Sequence, residues 1–385
     1  MSRLDRAKAA ALRAWLWWAS RPHRVRALVR RHRLPRAPQP SGVRVTAAAV
    51  QMELRLAASA GAFIGQVAGL TADAIGRGAQ LVVFPEDCGT ALVGLLPGIA
   101  GGGPHEDVDS AVRRLAGPGA RVADVLAAVG PALGRIFAAT FSEIARATGA
   151  WVVAGSTMLP VAGGVGNVAF LFGPDGREAG RHVKCHLIEL EERWGLRTGD
   201  DLQVYHTPVG RLALPICMDA TYFETYRILA LRGAEIVCVP TADPQPYNVW
   251  KALRGPWPRT QESLVYSVHA CLVGRAFGLQ LTGRSALFAP LELTPDASGV
   301  MARAASADSQ EVVVGALDLQ ALRSLRAHHP ALKALRPDLY RRVFPAVYHQ
   351  YRARSAGGRR VWAGSSAPPV VGEGRTAPDR PETPR

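Results

Sequence analysis

The chain has 385 residues, 48% of them hydrophobic and 20% charged, and a formal net charge of +15 at pH 7. This composition predicts a globular protein with one large core or two smaller ones, and it excludes a disordered chain. The excess of basic residues lies in residues 1–42 and 321–385, whereas residues 43–320 hold a small excess of acidic residues. The charge of the ends therefore says little about a substrate, and we expect no specific nucleic-acid partner.

The cysteine pattern predicts a cytoplasmic protein. The five cysteines are odd in number, lie within apolar runs and have no zinc-type spacing, so we expect neither a disulfide framework nor a metal site. No apolar run approaches the 18 to 20 residues or so of a membrane span, and no secretory signal is convincing. The cysteines are Cys88, Cys185, Cys217, Cys238 and Cys271.

The first part of the chain alternates strands and helices after a basic start. Residues 1–42 read as a basic extension and linker, with a short Trp-containing amphipathic segment. The compact domain is predicted to open at Val43 with an apolar strand, followed by a helix over 57–77. A buried strand, LVVFPED at 81–87, then delivers Glu86 and Asp87 at its carboxyl end.

The middle of the chain is predicted to be irregular at first and then regular. Residues 88–130 are Gly-rich, with one helical piece around 108–115. A helix is expected over 137–148, then a strand at 151–157, then a hairpin over 167–184 that turns at Pro174-Asp-Gly. This order of elements predicts a layered α/β domain.

The last part contains a strand that runs into a cysteine. The stretch RLALPICMDATYFE at 211–224 reads as a buried strand, Cys217 and then a helix. Further strands are expected near 235–244, 279–288 and 311–318, with a helix over 260–271. We predict a basic helical extension over 321–351 and a disordered tail over 352–385.

Three reactive side chains follow strands in the same way. Glu86 ends one strand, Lys184 closes the hairpin and Cys217 follows a third strand. A thiol on a strand-to-helix turn is placed where helix N–H groups favour an anion, as a nucleophile requires. Lysine is rare in this arginine-rich chain, so its presence at 184 favours a chemical role for a compact ammonium.

The chain resembles the nitrilase superfamily of carbon–nitrogen hydrolases over about residues 43–320. The segments that carry the resemblance are AVQM at 49–52, VVFPE at 82–86, VKCHL at 183–187, CMDATYFE at 217–224, GAEIVCVPTA at 233–242 and GRSALFAP at 283–290. The resemblance implies a four-layer α-β-β-α sandwich and no cofactor. It also implies a triad of Glu86 as general base, Lys184 as the positive charge and Cys217 as nucleophile, with the backbone N–H of Met218 helping to bind the oxyanion.

The resemblance also suggests further site residues. Family members often use a second glutamate before a Trp or a Gly-Asp pair. Glu189, Glu191 and Glu192 are the candidates, and Glu192 fits best because Trp194 and Gly199-Asp200 follow it at suitable spacing. Cys185 and His186 are expected to be structural. Asp219 after the cysteine resembles the amide-cleaving branch, although it could equally cap the next helix. The predicted lining of the substrate pocket is Trp194, Asp219, Tyr222 and Thr241.

These observations predict a thiol hydrolase that converts a linear amide or carbamoyl compound to an acid and ammonia or an amine. The alternatives are a nitrilase acting on an organic nitrile, an N-acyltransferase, and a catalytically silent binding protein on the same fold. The 88–130 insertion next to Glu86 is expected to line or cover the pocket. We also expect a homodimer through the helix after Cys217, and residues 1–42 could contact an anionic membrane peripherally, at its inner face.

Overall fold

A computed structural model describes the backbone of residues 14, 15, 17, 18, 20–99 and 106–356, with side chains to residue 352. Residues 1–13 of the predicted extension and 357–385 of the predicted tail lie outside the described residues. The chain divides into two compact units, residues 1–328 and 329–385. Each unit is described by itself.

The first unit contains a mixed sheet, which confirms the predicted α/β class. Its strands are β1 (Arg44–Leu54), β2 (Leu81–Val83), β3 (Trp151–Val161), β4 (Gly164–Phe172), β5 (Glu178–Val183), β6 (Tyr205–Thr207), β7 (Gly210–Ala213), β8 (Ile236–Thr241), β9 (Tyr266–Ala276), β10 (Leu279–Leu281), β11 (Ala286–Phe288), β12 (Val300–Arg303) and β13 (Glu311–Asp318). The main path runs β5-β4-β3-β2-β1-β9-β8-β7-β6. β1 is the junction, because it pairs in parallel with β2 and β9 and antiparallel with β13.

The helices include several that the sequence patterns predicted. In the first unit they are α1 (Pro22–Val29), α2 (Ala60–Gly76), α3 (Val108–Ala116), α4 (Val122–Thr148), α5 (Glu189–Trp194), α6 (Phe223–Leu231), α7 (Val249–Ala252), α8 (Pro256–Ser263) and α9 (Leu319–His328). The second unit contains α10 (Pro330–Lys333) and α11 (Pro337–Ala356), and α11 exposes Tyr340, Phe344 and Tyr348. The predicted 321–351 helix is therefore three helices, interrupted before Pro330 and Pro337, because proline disfavours a helical residue before it.

Alternate residues of β1 face two different parts of the core. Ala48, Val50 and Met52 belong to one buried cluster with residues of α2 and α4. Ala47 and Ala49 belong to a second cluster with residues of β7, β8 and β9. A third cluster joins the other side of β8 to α6. The four-layer arrangement that the resemblance implies would produce this division, because successive strand residues point to opposite faces.

Two predicted boundaries were wrong. The helix expected at 137–148 begins at Val122 and continues through Pro131, so the end of the 88–130 insertion is helical. Residues 260–271 form the end of α8 and most of β9 instead of one helix. Among the described residues, α4 alone is long and apolar enough to span a membrane, whereas no such segment was expected from the sequence. Its core-facing Phe137, Phe141 and Ile144 are fully buried in the first cluster, as in a core helix.

The described part of the basic N-terminal segment packs on the first unit. Val25 and Val29 of α1 are fully buried in the first core cluster. Arg30 pairs with Glu143 of α4 at 3.3 Å, and the amide of Ala37 donates to the carbonyl of Thr148. Residues 22–37 are therefore more than a linker, because they cover the surface of α4.

Candidate active site

The three strand-end residues come together in the structure. Glu86 lies three residues beyond β2, Lys184 directly follows β5, and Cys217 lies four residues beyond β7. Lys184 Nζ is 2.8 Å from Glu86 Oε1. The charges of Glu86 and Lys184 both act on the thiol of Cys217, which therefore lies beside them. Sequence spacing thus predicted a real cluster of these side chains.

Lys184 is held between two carboxylates. Its side chain is 1% exposed, and its Nζ donates to Glu86 Oε1 at 2.8 Å and to Glu191 Oε2 at 2.7 Å. Burial by itself would lower the pKa of Lys184, but the negative charges of Glu86, Cys217 and Glu191 raise it above its usual range. The lysine therefore stays a cation.

Glu86 is a buried carboxylate with three donors. Besides Lys184, the side-chain amide of Asn167 donates to Oε1 at 2.9 Å and the backbone N–H of Ala242 donates to Oε2 at 2.8 Å. Burial raises the pKa of Glu86 above its usual value, while the charge of Lys184 opposes the rise. A carboxylate in this state is a better proton acceptor than an exposed one.

The second glutamate of the cluster is Glu191, so the prediction of Glu192 was wrong. Glu191 is buried, and its Oε2 also accepts from the backbone N–H of Ile188 at 2.9 Å. Glu192 is exposed. The position of the glutamate in the helix could have identified it. Ile188 directly precedes α5, and the side chain of a glutamate three residues later accepts from the backbone N–H of Ile188, as in a capping box. Asn167, also missed, bridges the two carboxylates from β4.

Cys217 lies in an unusual backbone conformation. Its φ is +44°, in the left-handed region that costs energy for a residue with a side chain. It begins a 3₁₀ turn, Cys217–Thr221, and α6 starts only at Phe223, so the expected helix N-terminus at the thiol is absent at this point of the described chain. Burial, then the charge of Glu86, raise the pKa of Cys217 well above its usual value. The resting thiol is therefore neutral and needs a base.

Asp219 organises the loops behind the site instead of lining a substrate pocket. It is fully buried and accepts hydrogen bonds from His182 at 2.9 Å and His186 at 2.8 Å. The backbone N–H groups of residues 185, 186 and 216 also donate to it. Asp219 thus connects the segment around Lys184 to the segment around Cys217. His182, Cys185 and Asp219 are close enough to hold a metal ion, but the carboxylate oxygens are already engaged in these hydrogen bonds.

The other predicted pocket residues have different positions. Trp194 lines the cavity beside Glu86 and Lys184, as expected. Tyr222 stacks on His186 with 4.3 Å between ring centroids, and Thr241 lies 3.0 Å from His269 Nε2. Neither of these two belongs to the described lining of that cavity.

The cavity has a volume of about 140 Å³ and two chemically distinct parts. One end is polar and contains Glu86, Lys184 and Glu191. The rest of the wall is apolar, and much of it comes from the 88–130 insertion, as the sequence predicted. Asp87, also at the polar end, has φ +55° and a buried Oδ1 without a hydrogen-bond partner among the described residues.

The comparison with protein families identifies the class. The family model "Carbon-nitrogen hydrolase" matches residues 46–327. The match covers most of the chain, so this protein belongs to the carbon–nitrogen hydrolase family.

Curated relatives include hydrolases of more than one kind. The probable hydrolase YhcX of Bacillus subtilis is 28% identical over 208 residues, which are 52% of this chain and 40% of that protein. Omega-amidase NIT2 of Bos taurus is 28% identical, over 52% of this chain and 72% of its own. A nitrilase of Pyrococcus abyssi is 31% identical, over 48% of this chain and 65% of its own. This chain thus spans less than half of the first relative.

A solved structure has the same fold. A mutant of the amidase from Nesterenkonia sp. AN1 shows covalent addition of the acetamide moiety of fluoroacetamide at its active-site cysteine. It matches 80% of this chain and 99% of its own, with a TM-score of 0.54 and 22% identity. At that identity the similarity establishes the fold.

Proposed function

We propose that the protein hydrolyses a non-peptide carbon–nitrogen bond in a linear amide or carbamoyl compound through a thioester on Cys217. The observation that carries this proposal is the buried lysine between two carboxylates, with the thiol of Cys217 within the influence of their charges. A neutral thiol beside a carboxylate base and a fixed cation has what acyl transfer to sulfur requires.

In the first half-reaction Glu86 takes the proton of the Cys217 thiol as sulfur attacks the carbonyl carbon. The Lys184 ammonium and the backbone N–H of Met218 stabilise the resulting oxyanion. Glu86 then passes its proton to the nitrogen, the C–N bond breaks, and ammonia or an amine leaves. Glu191 acts as a positioning residue, since it holds the second face of the lysine.

In the second half-reaction water attacks the thioester while Glu86 accepts a proton from it. The C–S bond breaks, the proton returns to sulfur and the carboxylic acid leaves. Lys184 transfers no proton in either half, because its raised pKa keeps it charged. No metal or organic cofactor has a step in this scheme.

Detection of a thioester on Cys217 tests the proposed mechanism. Protein mixed with an amide substrate and quenched in acid should gain the mass of one acyl group, and peptide mapping should place it on Cys217. Cys217→Ala should lose both the adduct and ammonia release. Cys185→Ala is a matched control, because this thiol has a pKa raised to about 12 by burial and should be inert. An active enzyme that forms no adduct on Cys217 would refute the mechanism, and a protein without any turnover would favour a silent binding protein.

A nitrilase is the second candidate, because one relative carries that name. Matched amides and nitriles, scored for ammonia and acid, separate the two activities. We expect faster release from the amide, and preferred nitrile turnover would reverse the assignment. Acyl transfer to an added amine in place of acid formation would indicate an N-acyltransferase.

We further propose a homodimer whose interface is formed by α6 and by Tyr222, the residue directly before it. Tyr222, Phe223, Ile228 and Leu231 are exposed there, and apolar side chains are favoured at interface cores. Tyr226 in the same helix is fully buried and hydrogen-bonds to Ser267, so it does not contribute to this surface. Light scattering that gave a monomer mass would contradict the dimer.

The proposed cytoplasmic location rests on the five free cysteines. Peripheral contact of residues 1–42 with an anionic membrane stays a prediction. The exposed Trp17 and Trp18 support it, although each ring is covered on one side by an arginine.

A further inference from the structure

The cavity beside Glu86 and Lys184 combines a few charged side chains at one end with a lining that is otherwise mostly apolar. We propose that this wall binds the acyl part of the substrate, so that the enzyme prefers amides of uncharged acyl groups with about six carbons, alkyl or phenyl, over short or charged ones. This inference rests on the proposed function, because it assumes that the scissile bond lies at the polar end.

The wall is built from two sides of the sequence. The 88–130 insertion contributes apolar residues and one threonine, Thr90, among its described members; examples from α3 and α4 are Val112, Val125 and Val129. Trp194 and Phe277 contribute to the lining from other parts of the chain. An insertion that adds two helices with apolar residues in the cavity lining increases the apolar area available to an acyl chain.

The volume sets the size of the group. An engineered apolar cavity of about 150 Å³ stays dry and binds benzene. The present cavity, at about 140 Å³, is therefore large enough for a phenyl ring or an alkyl chain of similar size. A two-carbon acyl group would leave most of the apolar wall without contacts.

The charges of the lining disfavour a substrate with a second carboxylate. Among the described lining residues Lys184 is the one cation, and it already contacts Glu86 and Glu191. A carboxylate at the far end of the acyl chain would be buried without a counter-ion, which is costly.

A chain-length series with the unmodified protein tests the inference. Ammonia release from acetamide, butanamide and hexanamide should show kcat/KM rising about fourfold per added methylene, as expected for burial of a CH₂ group. The monoamide of adipic acid, equal in length to hexanamide but charged, should be at least about tenfold poorer. Equal or falling kcat/KM from acetamide to hexanamide, or equal turnover of the charged amide, would overturn the inference while leaving the proposed function intact. A protein that hydrolyses none of these amides would overturn the inference, and the thioester test on Cys217 would then decide the proposed function separately.

A pair of variants on α4 locates the effect. Val125→Trp fills the cavity and should reduce kcat/KM for hexanamide about tenfold or more relative to kcat/KM for acetamide. Ala128→Trp adds the same side chain at an exposed position of the same helix and should change neither. Unchanged hexanamide turnover in Val125→Trp would place the acyl group elsewhere. If Val125→Trp does not fold, Val129→Phe makes the same test with a smaller side chain.

Discussion

The polar end and the apolar wall of the cavity differ in the kind of contact that their side chains make. At the polar end the charged groups of Glu86, Lys184 and Glu191 have particular partners, and Lys184 Nζ by itself contacts two carboxylates within 2.8 Å. Along the wall, side chains such as Val112 and Val129 contribute only apolar surface. The polar end therefore depends on geometry, whereas the wall depends on volume.

This difference predicts different tolerance to substitution. Removing one member of a buried ion pair leaves an uncompensated charge and costs about 3 to 5 kcal/mol. Exchanging one apolar side chain for another of similar volume costs less than about 1.5 kcal/mol. Reaction chemistry and substrate choice should therefore change independently.

The largest effect should come from Lys184→Arg. The planar guanidinium cannot occupy the space between Glu86 and Glu191 that a compact ammonium fills, although the charge is kept. We expect ammonia release to fall to below about 1%, comparable to Glu86→Gln, with circular dichroism unchanged. More than a few per cent residual activity would contradict the role given to Lys184.

The next largest effect should separate two neighbouring glutamates. Glu191→Gln removes one charge from the buried cluster and should lower kcat/KM about 100-fold. Glu192→Gln is the matched control at an exposed position and should stay within about twofold. A reversal of the two results would restore the choice made from sequence alone.

The pH profile tests the base. Glu86 must be ionised to accept the thiol proton, and burial raises its pKa, so kcat/KM should fall as the pH is lowered through a value above 4.5. Below that value the loss should approach about tenfold per pH unit. Because the pKa of Lys184 is raised, its deprotonation should cause no loss at alkaline pH below 10.5. An acid limb at or below pH 4.5 would conflict with a buried base.

Asp219→Asn tests the support behind the polar end. The amide would present N–H groups to donors such as His182 and His186, and the free energy of unfolding should fall by about 3 kcal/mol. Asp201→Asn is the exposed control and should cost less than about 1 kcal/mol. Equal effects in urea denaturation would show that burial of Asp219 does not matter.

The smallest effect should come from truncating the wall. Val129→Ala removes apolar surface from the wall but no charged group of the polar end, so acetamide turnover should stay within about twofold while hexanamide turnover falls by about tenfold or less. A loss on acetamide as large as that of Glu191→Gln would end the distinction between the two parts of the cavity.

The sequence by itself determined the main catalytic candidates and the family. Glu86, Lys184 and Cys217 each follow an apolar strand, and the structure brings them together. The hairpin turn at Pro174 was also predicted, because Pro-Asp-Gly has the backbone preferences of that turn. Local patterns succeed here because strand ends and tight turns are governed by neighbouring residues.

Only the tertiary structure decided the rest. Glu191 and Glu192 are chemically identical neighbours, and only the packing of α5 shows which one is buried. The apolar run at 266–276 suits either a buried strand or a buried helix, and pairing with β8 makes it a strand. The cavity wall, finally, joins α3 and α4 to Trp194 and Phe277, residues far apart in the chain. Apolar packing carries no directional signal in a sequence, because many arrangements bury the same surface.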